Sequence, residues 1–100
     1  GYIRDRLKQR WDELLEVLDD TNAYELCGRV GSQYAWIKCV NKTESECQSA
    51  IRAKNINPYW GTVFGMPTSQ GYARFNLCEY EDTWQRIRKA FSAVVEDEDL

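Results

Sequence analysis

The chain has 100 residues, of which 43% are apolar and 13% aromatic, and its formal net charge is −3. This length predicts one domain, residues 1–100, and the apolar content excludes a disordered chain. The acidic balance disfavours a nucleic-acid partner, and the lack of histidine excludes Ser-His catalysis, Cys-His catalysis and histidine-ligated metals within the chain.

Residues 2–19 have the apolar period of an amphipathic helix. The apolar positions are Ile3, Leu7, Trp11, Leu14, Leu15 and Leu18. Basic residues crowd the first half of this helix and acidic residues the second, which is the reverse of what the helix dipole prefers. We therefore expect the natural helix to begin before Ile3; the alternative is a tolerated, solvated charge pattern.

Two strands are predicted next, at residues 24–30 and 34–40, separated by Gly31-Ser32. Alternation along the second strand puts one set of side chains on each face: Tyr34, Trp36 and Lys38, then Ala35, Ile37 and Cys39.

A capping box follows at residues 43–46, with Thr43 as the N-cap and Glu46 returning to its backbone. It predicts a helix from Glu44 to about Lys54. The inward side chains should be Cys47, Ala50 and Ile51.

Residues 55–71 are rich in Gly, Pro and Asn and predict a long loop, which is typical of a functional segment. We expect Tyr59 and Trp60 to be exposed in it, where a partner or a dimer contact would use them.

A third strand is predicted at residues 72–78, and a last helix begins at Asp82 or a neighbour. The inward face of that helix should hold Trp84, Ile87, Phe91, Val94 and Val95. Residues 96–100 form an acidic tail that we expect to be disordered. The element order predicts an α+β domain, in which helices pack on a small, mostly antiparallel sheet.

Arg74 lies within the third, otherwise apolar strand. Burying an unpaired guanidinium is very unfavourable, so this side chain needs an anion, and its planar fork suits a carboxylate. The anion is either the carboxylate of a bound molecule or a structural salt-bridge partner, for which the candidates are Glu25, Glu79 and Glu81.

Four cysteines are present, Cys27, Cys39, Cys47 and Cys78, and they allow three disulfide pairings. None forms a C-x-x-C pair, so no metal site is predicted. Asn41-Lys42-Thr43 is a glycosylation sequon at Asn41. Sequon and even cysteine count favour the secretory pathway, vacuolar or extracellular; the alternative is four reduced, buried thiols in a cytosolic core. No apolar run approaches the ~20 residues of a membrane span.

Four ordered segments carry a family resemblance: residues 34–39, Cys47 eight positions later, Gly61-x-x-Phe64-Gly65, and Tyr72-x-Arg74-x-Asn76. They resemble the C-terminal domain of the alliinase and tryptophan-aminotransferase-related family, which are fold-type-I pyridoxal-phosphate (PLP) enzymes. The resemblance covers most of residues 2–95. Residues 66–70 make the segment before Arg74 slightly longer than is usual in that family.

The resemblance implies specific roles. Arg74 would hold the α-carboxylate of an amino-acid substrate. Gly61, Phe64 and Gly65 would form a loop near the active-site mouth. Cys39 and Cys47 would form a disulfide, as in the alliinase branch of C–S lyases. Cys27 and Cys78 would then pair with each other or stay as buried thiols.

No lysine of the chain lies in a context like the family's Schiff-base lysine. The resemblance therefore implies a large PLP-binding domain, on the same polypeptide or a partner chain, and a homodimeric enzyme acting on amino acids as a C–S lyase or aminotransferase. The chain alone would be inactive and would not hold PLP covalently. The alternative is a non-catalytic secreted binding module whose aromatic loop is the binding surface.

Overall fold

The computed structural model describes residues 2–92. The helices are α1 (Tyr2–Asp19), α2 (Glu44–Arg52) and α3 (Glu81–Phe91), and the strands are β1 (Tyr24–Cys27), β2 (Tyr34–Cys39), β3 (Tyr59–Trp60) and β4 (Gly71–Asn76). A 3₁₀ turn, Gly61–Phe64, joins β3 to the loop before β4. The predicted α+β class is confirmed, since helices pack on one small sheet.

The sheet has the order β1-β2-β4-β3, and every neighbouring pair is antiparallel. The central pair runs in register from Tyr34 opposite Asn76 to Cys39 opposite Gly71. The first strand ends at Cys27, earlier than predicted, and the chain then turns towards α1, where the Trp11 indole N–H donates to the Ser32 carbonyl at 2.6 Å.

The core lies between one face of the sheet and the helices. Phe91 of α3 is fully buried and meets Tyr24 and Phe75 edge to face, with ring centroids 4.8 and 5.0 Å apart. In α1 the buried apolar residues are Trp11, Leu14 and Leu18, as predicted. Ile3 and Leu15 are exposed, contrary to the prediction. The buried face of α1 is therefore narrower than the full set of its apolar residues.

The predicted capping box is confirmed at the start of α2. Thr43 Oγ1 accepts from the Glu46 N–H at 3.2 Å, and Glu46 Oε1 accepts from the Thr43 N–H at 2.8 Å. The helix ends at Arg52 rather than Lys54. Asn55 has a φ of 62°, which is incompatible with a right-handed helix.

The prediction of one uninterrupted loop over 55–71 was wrong. Tyr59 and Trp60 pair with β4 as strand β3, opposite Arg74 and Ala73 respectively. Because paired residues of an antiparallel sheet share a face, Trp60 lies on the core side with Ala73 and is buried, whereas Tyr59 is exposed as expected.

The last helix begins at Glu81, one residue before the predicted start, and buries Trp84, Ile87 and Phe91 as predicted. Val94, Val95 and the acidic tail 96–100 lie outside the described residues. Within 2–92, no helix is both long and apolar enough to cross a membrane.

Candidate functional site

The face of the sheet that the helices leave open carries half-buried polar and aromatic side chains. Tyr34, Trp36 and Lys38 of β2 lie on this face, as the alternation predicted, whereas Ala35, Ile37 and Cys39 are buried. The register places Trp36 and Tyr59 on either side of Arg74, so one row of side chains crosses three strands.

Aromatic rings surround the guanidinium of Arg74. Its Cζ lies 4.0 Å from the ring centroid of Tyr34, 4.5 Å from that of Phe64 and 5.4 Å from that of Tyr59. Phe64 also meets Trp36 edge to face at 5.2 Å. Cations within about 6 Å of ring centroids are attracted by the ring quadrupole, so these contacts hold the charged group in place. We call Arg74 and its three rings, Tyr34, Tyr59 and Phe64, the arginine cage.

The rings do not satisfy the hydrogen-bond donors of Arg74. Its Nε is buried and has no hydrogen-bond partner, and within residues 2–92 the guanidinium forms no ion pair. Glu81, one of the proposed salt-bridge partners, binds Arg10 instead, and Glu25 lies opposite Lys38 on the sheet. The structural salt bridge is therefore absent from the described chain, and Arg74 keeps its donors for another acceptor.

Arg74 opens onto two shallow grooves. One, of about 660 Å³, runs along the 28–32 segment beside Tyr34 and Trp36. The other, of about 580 Å³, lies between β3, β4 and α3 and contains Asn57 and Asn76. Arg74 therefore lines both grooves, and each groove is open to solvent.

The predicted loop residues lie beside Arg74. Gly61 and Phe64 begin and end the 3₁₀ turn, and Gly65 follows it. A Cβ on Gly61 would lie 2.9 Å from the Cβ of Tyr72, so only glycine lets the turn pack this closely against β4. The structure thus brings Phe64 and Arg74 together, although ten residues separate them in sequence.

A disulfide joins Cys39, at the end of β2, to Cys47 of α2, with the Cα atoms 5.8 Å apart. Cys27 and Cys78 are free thiols, so the possible second disulfide is not formed. Cys27 lies on β1, whereas Cys78 follows the end of β4, and β2 lies between these two strands. Because neighbouring strands are about 4.8 Å apart, the two cysteines are farther apart than a disulfide spans. Cys78 is exposed, so the alternative of two buried thiols is also wrong for it.

Burial raises the pKa of the Cys27 thiol above its ordinary value, and the nearby charge of Glu25 adds to this effect. The thiol is therefore neutral and a poor nucleophile. Asn41 is exposed in the turn after β2; its glycosylation stays a prediction. In the part of the chain that the structure describes, no cluster of Cys, Asp and Glu could hold a metal ion.

Sequence reasoning missed two buried charged side chains, both in helices whose charges were expected to be solvated. Arg10 is 3% exposed and donates to the carbonyls of Leu77 and Glu79, both at 2.7 Å. Glu44 is 7% exposed and accepts from Thr62 of the 3₁₀ turn. No local pattern marks either residue, because each partner lies far away in sequence.

Two of three comparisons with known proteins found a match to this chain. The family model described as allinase, the alliinase C-terminal domain, matches residues 1–95. No curated protein matches the chain closely enough to count as a relative.

Among solved structures, the chain is similar to a PLP-bound "putative aminotransferase" from Clostridium difficile 630, with a TM-score of 0.68 and 18% identity. The match covers 91% of this chain and 25% of that one, so the chain spans a quarter of that protein's length. The fold and the family match agree: the chain has the fold of part of that protein, and it belongs to the alliinase family, whose C-terminal domain it matches.

Proposed function

We propose that this domain binds the α-carboxylate of the amino-acid substrate in a PLP-dependent, alliinase-like C–S lyase or aminotransferase. The observation that carries the proposal is the arginine cage: a charged side chain held by aromatic rings, with a buried Nε that has no acceptor.

The cage suits a carboxylate for a geometric reason. Ring contacts stabilise the positive charge but accept none of the in-plane N–H bonds of a guanidinium. A carboxylate arriving in that plane accepts two parallel bonds, which is the strongest arrangement available to arginine. The α-carboxylate is the group that all amino-acid substrates share.

The residues of this chain do not fit a complete PLP site. Lys38 is the lysine on the open face, and it lies over the Tyr72 ring at 5.8 Å rather than in a site resembling that of a Schiff-base lysine. We therefore assign the cofactor to a large domain, on the same polypeptide or a partner chain, in a homodimer. PLP would supply the electron sink there.

The contribution of this domain is orientation. Holding the carboxylate at a fixed point sets which bond to the substrate Cα is aligned for cleavage, and alignment of this kind supplies much of the rate of an enzyme reaction. Elimination and transamination both begin with that alignment, so Arg74 serves either reaction.

The disulfide is compatible with an oxidising compartment, and we propose the secretory pathway as the location. Asn41 is the candidate for glycosylation there, since it is exposed in a turn.

The test is ligand binding to the complete, PLP-loaded protein that contains this domain, with Arg74→Lys against the wild type. Titration with L-tryptophan and S-methyl-L-cysteine sulfoxide is followed by the visible absorbance of the cofactor. We expect Arg74→Lys to raise Kd by about tenfold or more for the ligand that binds, because lysine cannot form the bidentate pair. Tryptamine, which lacks the carboxylate, should lose no affinity.

Arg88→Lys is the matched control, since Arg88 lines neither groove and is an exposed arginine whose ion pair with Glu13 is at 3.7 Å. Unchanged amino-acid affinity in Arg74→Lys would contradict the proposal.

The exposed loop favours the second candidate, a non-catalytic binding module. Tyr59, Val63 and Phe64 are 60%, 68% and 42% exposed and form an apolar surface on this loop. The intact mass of the natural protein, with and without borohydride, separates the two. A species near 11.7 kDa without a cofactor adduct supports the module, whereas a much heavier species with a reduced PLP adduct supports the enzyme.

A further inference from the structure

The carboxylate of Glu44, the first residue of α2, faces the 3₁₀ turn. Its Oε1 accepts from the Thr62 backbone N–H at 3.1 Å, and the Thr62 hydroxyl donates to the same carboxylate, 2.9 Å from Oε2. The side chain is 7% exposed, so water does not compete strongly for these bonds. Hydrogen bonds to a charged, shielded acceptor are stronger than neutral ones.

The backbone of Glu44 contacts the other end of the same loop. Its N–H donates to the Thr68 carbonyl at 3.0 Å. Within the loop, the Gly65 N–H donates to Thr62 and the Met66 N–H to Gly61, at 3.1 and 3.0 Å. The turn is thus closed on itself and attached at both ends to one residue of α2.

Helix α2 is a firm support for these bonds. The disulfide ties Cys47 to the end of β2. On the β4 side, a Cβ on Gly71 would lie 2.6 Å from the Cβ of Cys47, so helix and strand are in close contact. Glu44 therefore transmits the position of the sheet to the loop.

The loop carries Phe64, whose ring centroid lies 4.5 Å from Arg74 Cζ. Gly61 packs against Tyr72 of β4, and the Phe64 ring meets Trp36 edge to face at 5.2 Å. Val63 and Phe64 themselves are 68% and 42% exposed. The bonds between Glu44 and Thr62 add a polar attachment, two residues before Phe64, to these apolar contacts.

We propose that Glu44 is a positioning residue for the carboxylate site: acting through Thr62, it holds Phe64 against Arg74 and keeps the guanidinium in its binding orientation. The proposal rests on the proposed role of Arg74. Glu44 itself does not touch the ligand.

The test again uses the complete, PLP-loaded protein, with Glu44→Gln, Thr62→Val and the double variant. The control is Glu46→Gln, which removes an acidic charge from the same helix turn but not from the loop. Two quantities are measured: Kd for L-tryptophan, S-methyl-L-cysteine sulfoxide and tryptamine, and hydrogen exchange of the amides in residues 61–68.

We expect each single variant to raise Kd for the amino acid by about fivefold, the factor of one ordinary hydrogen bond, with no such loss for tryptamine. Amide exchange in 61–68 should accelerate. The double variant should be little worse than either single one, because both remove the same interaction. Thr62→Ser, which keeps the hydroxyl, should have the affinity of the wild type. Glu46→Gln should change neither Kd for the amino acid nor amide exchange in residues 61–68.

Two results would overturn the proposal while leaving Arg74 in place. The first is faster amide exchange in residues 61–68 with unchanged affinity for the amino acid, which would mean that Glu44 stabilises only the loop. The second is no change in either the exchange rate or the affinity. Equal weakening of tryptamine would also overturn it, since a general disturbance of the site would then be the cause. If Arg74→Lys in the same series leaves the affinity unchanged, the proposed function itself is wrong, and this inference is wrong with it.

Discussion

Two arginines of this domain show how burial and partners decide what a guanidinium does. Arg10 donates to the carbonyls of Leu77 and Glu79 and pairs with Glu81 at 3.1 Å. Its guanidinium therefore binds acceptors within the protein. Arg74 is held by ring faces and has an unused Nε. The first arginine is structural, and the second is the one that we propose binds a ligand.

Replacing Arg10 by methionine should lower the free energy of unfolding by about 2–4 kcal/mol, because two carbonyls and the Glu81 carboxylate lose their donor. Urea unfolding of the wild type and Arg10→Met measures this. Lys8→Met is the control, since the Lys8 side chain is 80% exposed and bridges Asp12 at 3.7 Å, and it should change stability by less than about 0.5 kcal/mol. Equal effects of the two variants would show that Arg10 is not a stabilising contact.

At the residue scale, the sequence singled out Arg74 because a charge in an apolar strand is visible along the chain. It did not single out Arg10 or Glu44. Each lies among other charges on a helix, where the pattern matches a solvated face, and only the partners far away in sequence show that these two are buried.

Helix α2 links the sheet to the loop, and two interactions between residues close in sequence hold it in place. The capping box lies at its first turn, and the disulfide joins residues only 8 apart in sequence. Neither contact depends on the rest of the fold, so α2 should be well placed even when distant contacts are weakened.

Loss of the disulfide should destabilise the domain. Cys39→Ala with Cys47→Ala should lower the free energy of unfolding by about 2–3 kcal/mol, because the unfolded chain gains the freedom of an open loop. The midpoint of urea unfolding under non-reducing conditions measures it. Cys78→Ala, at an exposed free thiol, is the control and should have little effect. No difference between the double variant and the control would refute this expectation.

The capping box should make stability depend on pH. The Thr43 backbone N–H, and then the Thr43 hydroxyl, hold the pKa of Glu46 below its ordinary value of 4.5. A lowered folded-state pKa means that Glu46 stabilises the domain above about pH 4.5, and that this stabilisation is lost as the pH falls through the lower, folded value. The difference in Tm between wild type and Glu46→Gln should therefore shrink on acidification; a difference that is constant from neutral to acidic pH would argue against it.

At the scale of the whole molecule, the sheet separates structure from function. The helices cover one face with a core of Trp84, Phe91, Leu14 and their neighbours. The other face carries the row Cys27, Trp36, Arg74 and Tyr59, one residue from each strand. The core can therefore be complete while the opposite face stays open to a ligand and to the large domain that we propose.

The sequence by itself determined the elements whose signals are local: the period of α1 and α3, the capping box of α2, the alternation along β2 and the isolated charge of Arg74. Each of these patterns lies within a short stretch of sequence. It depends on the local backbone and on contact with solvent, so it can be recognised without the rest of the fold.

Only the tertiary structure decided the pairing of β3 with β4, the burial of Trp60, the separation of Cys27 from Cys78 and the closing of Phe64 over Arg74. These features depend on contacts between segments far apart along the chain. Strand β3 has only two residues, too few for a periodic signal, so its existence follows from the free edge of β4 rather than from its own sequence.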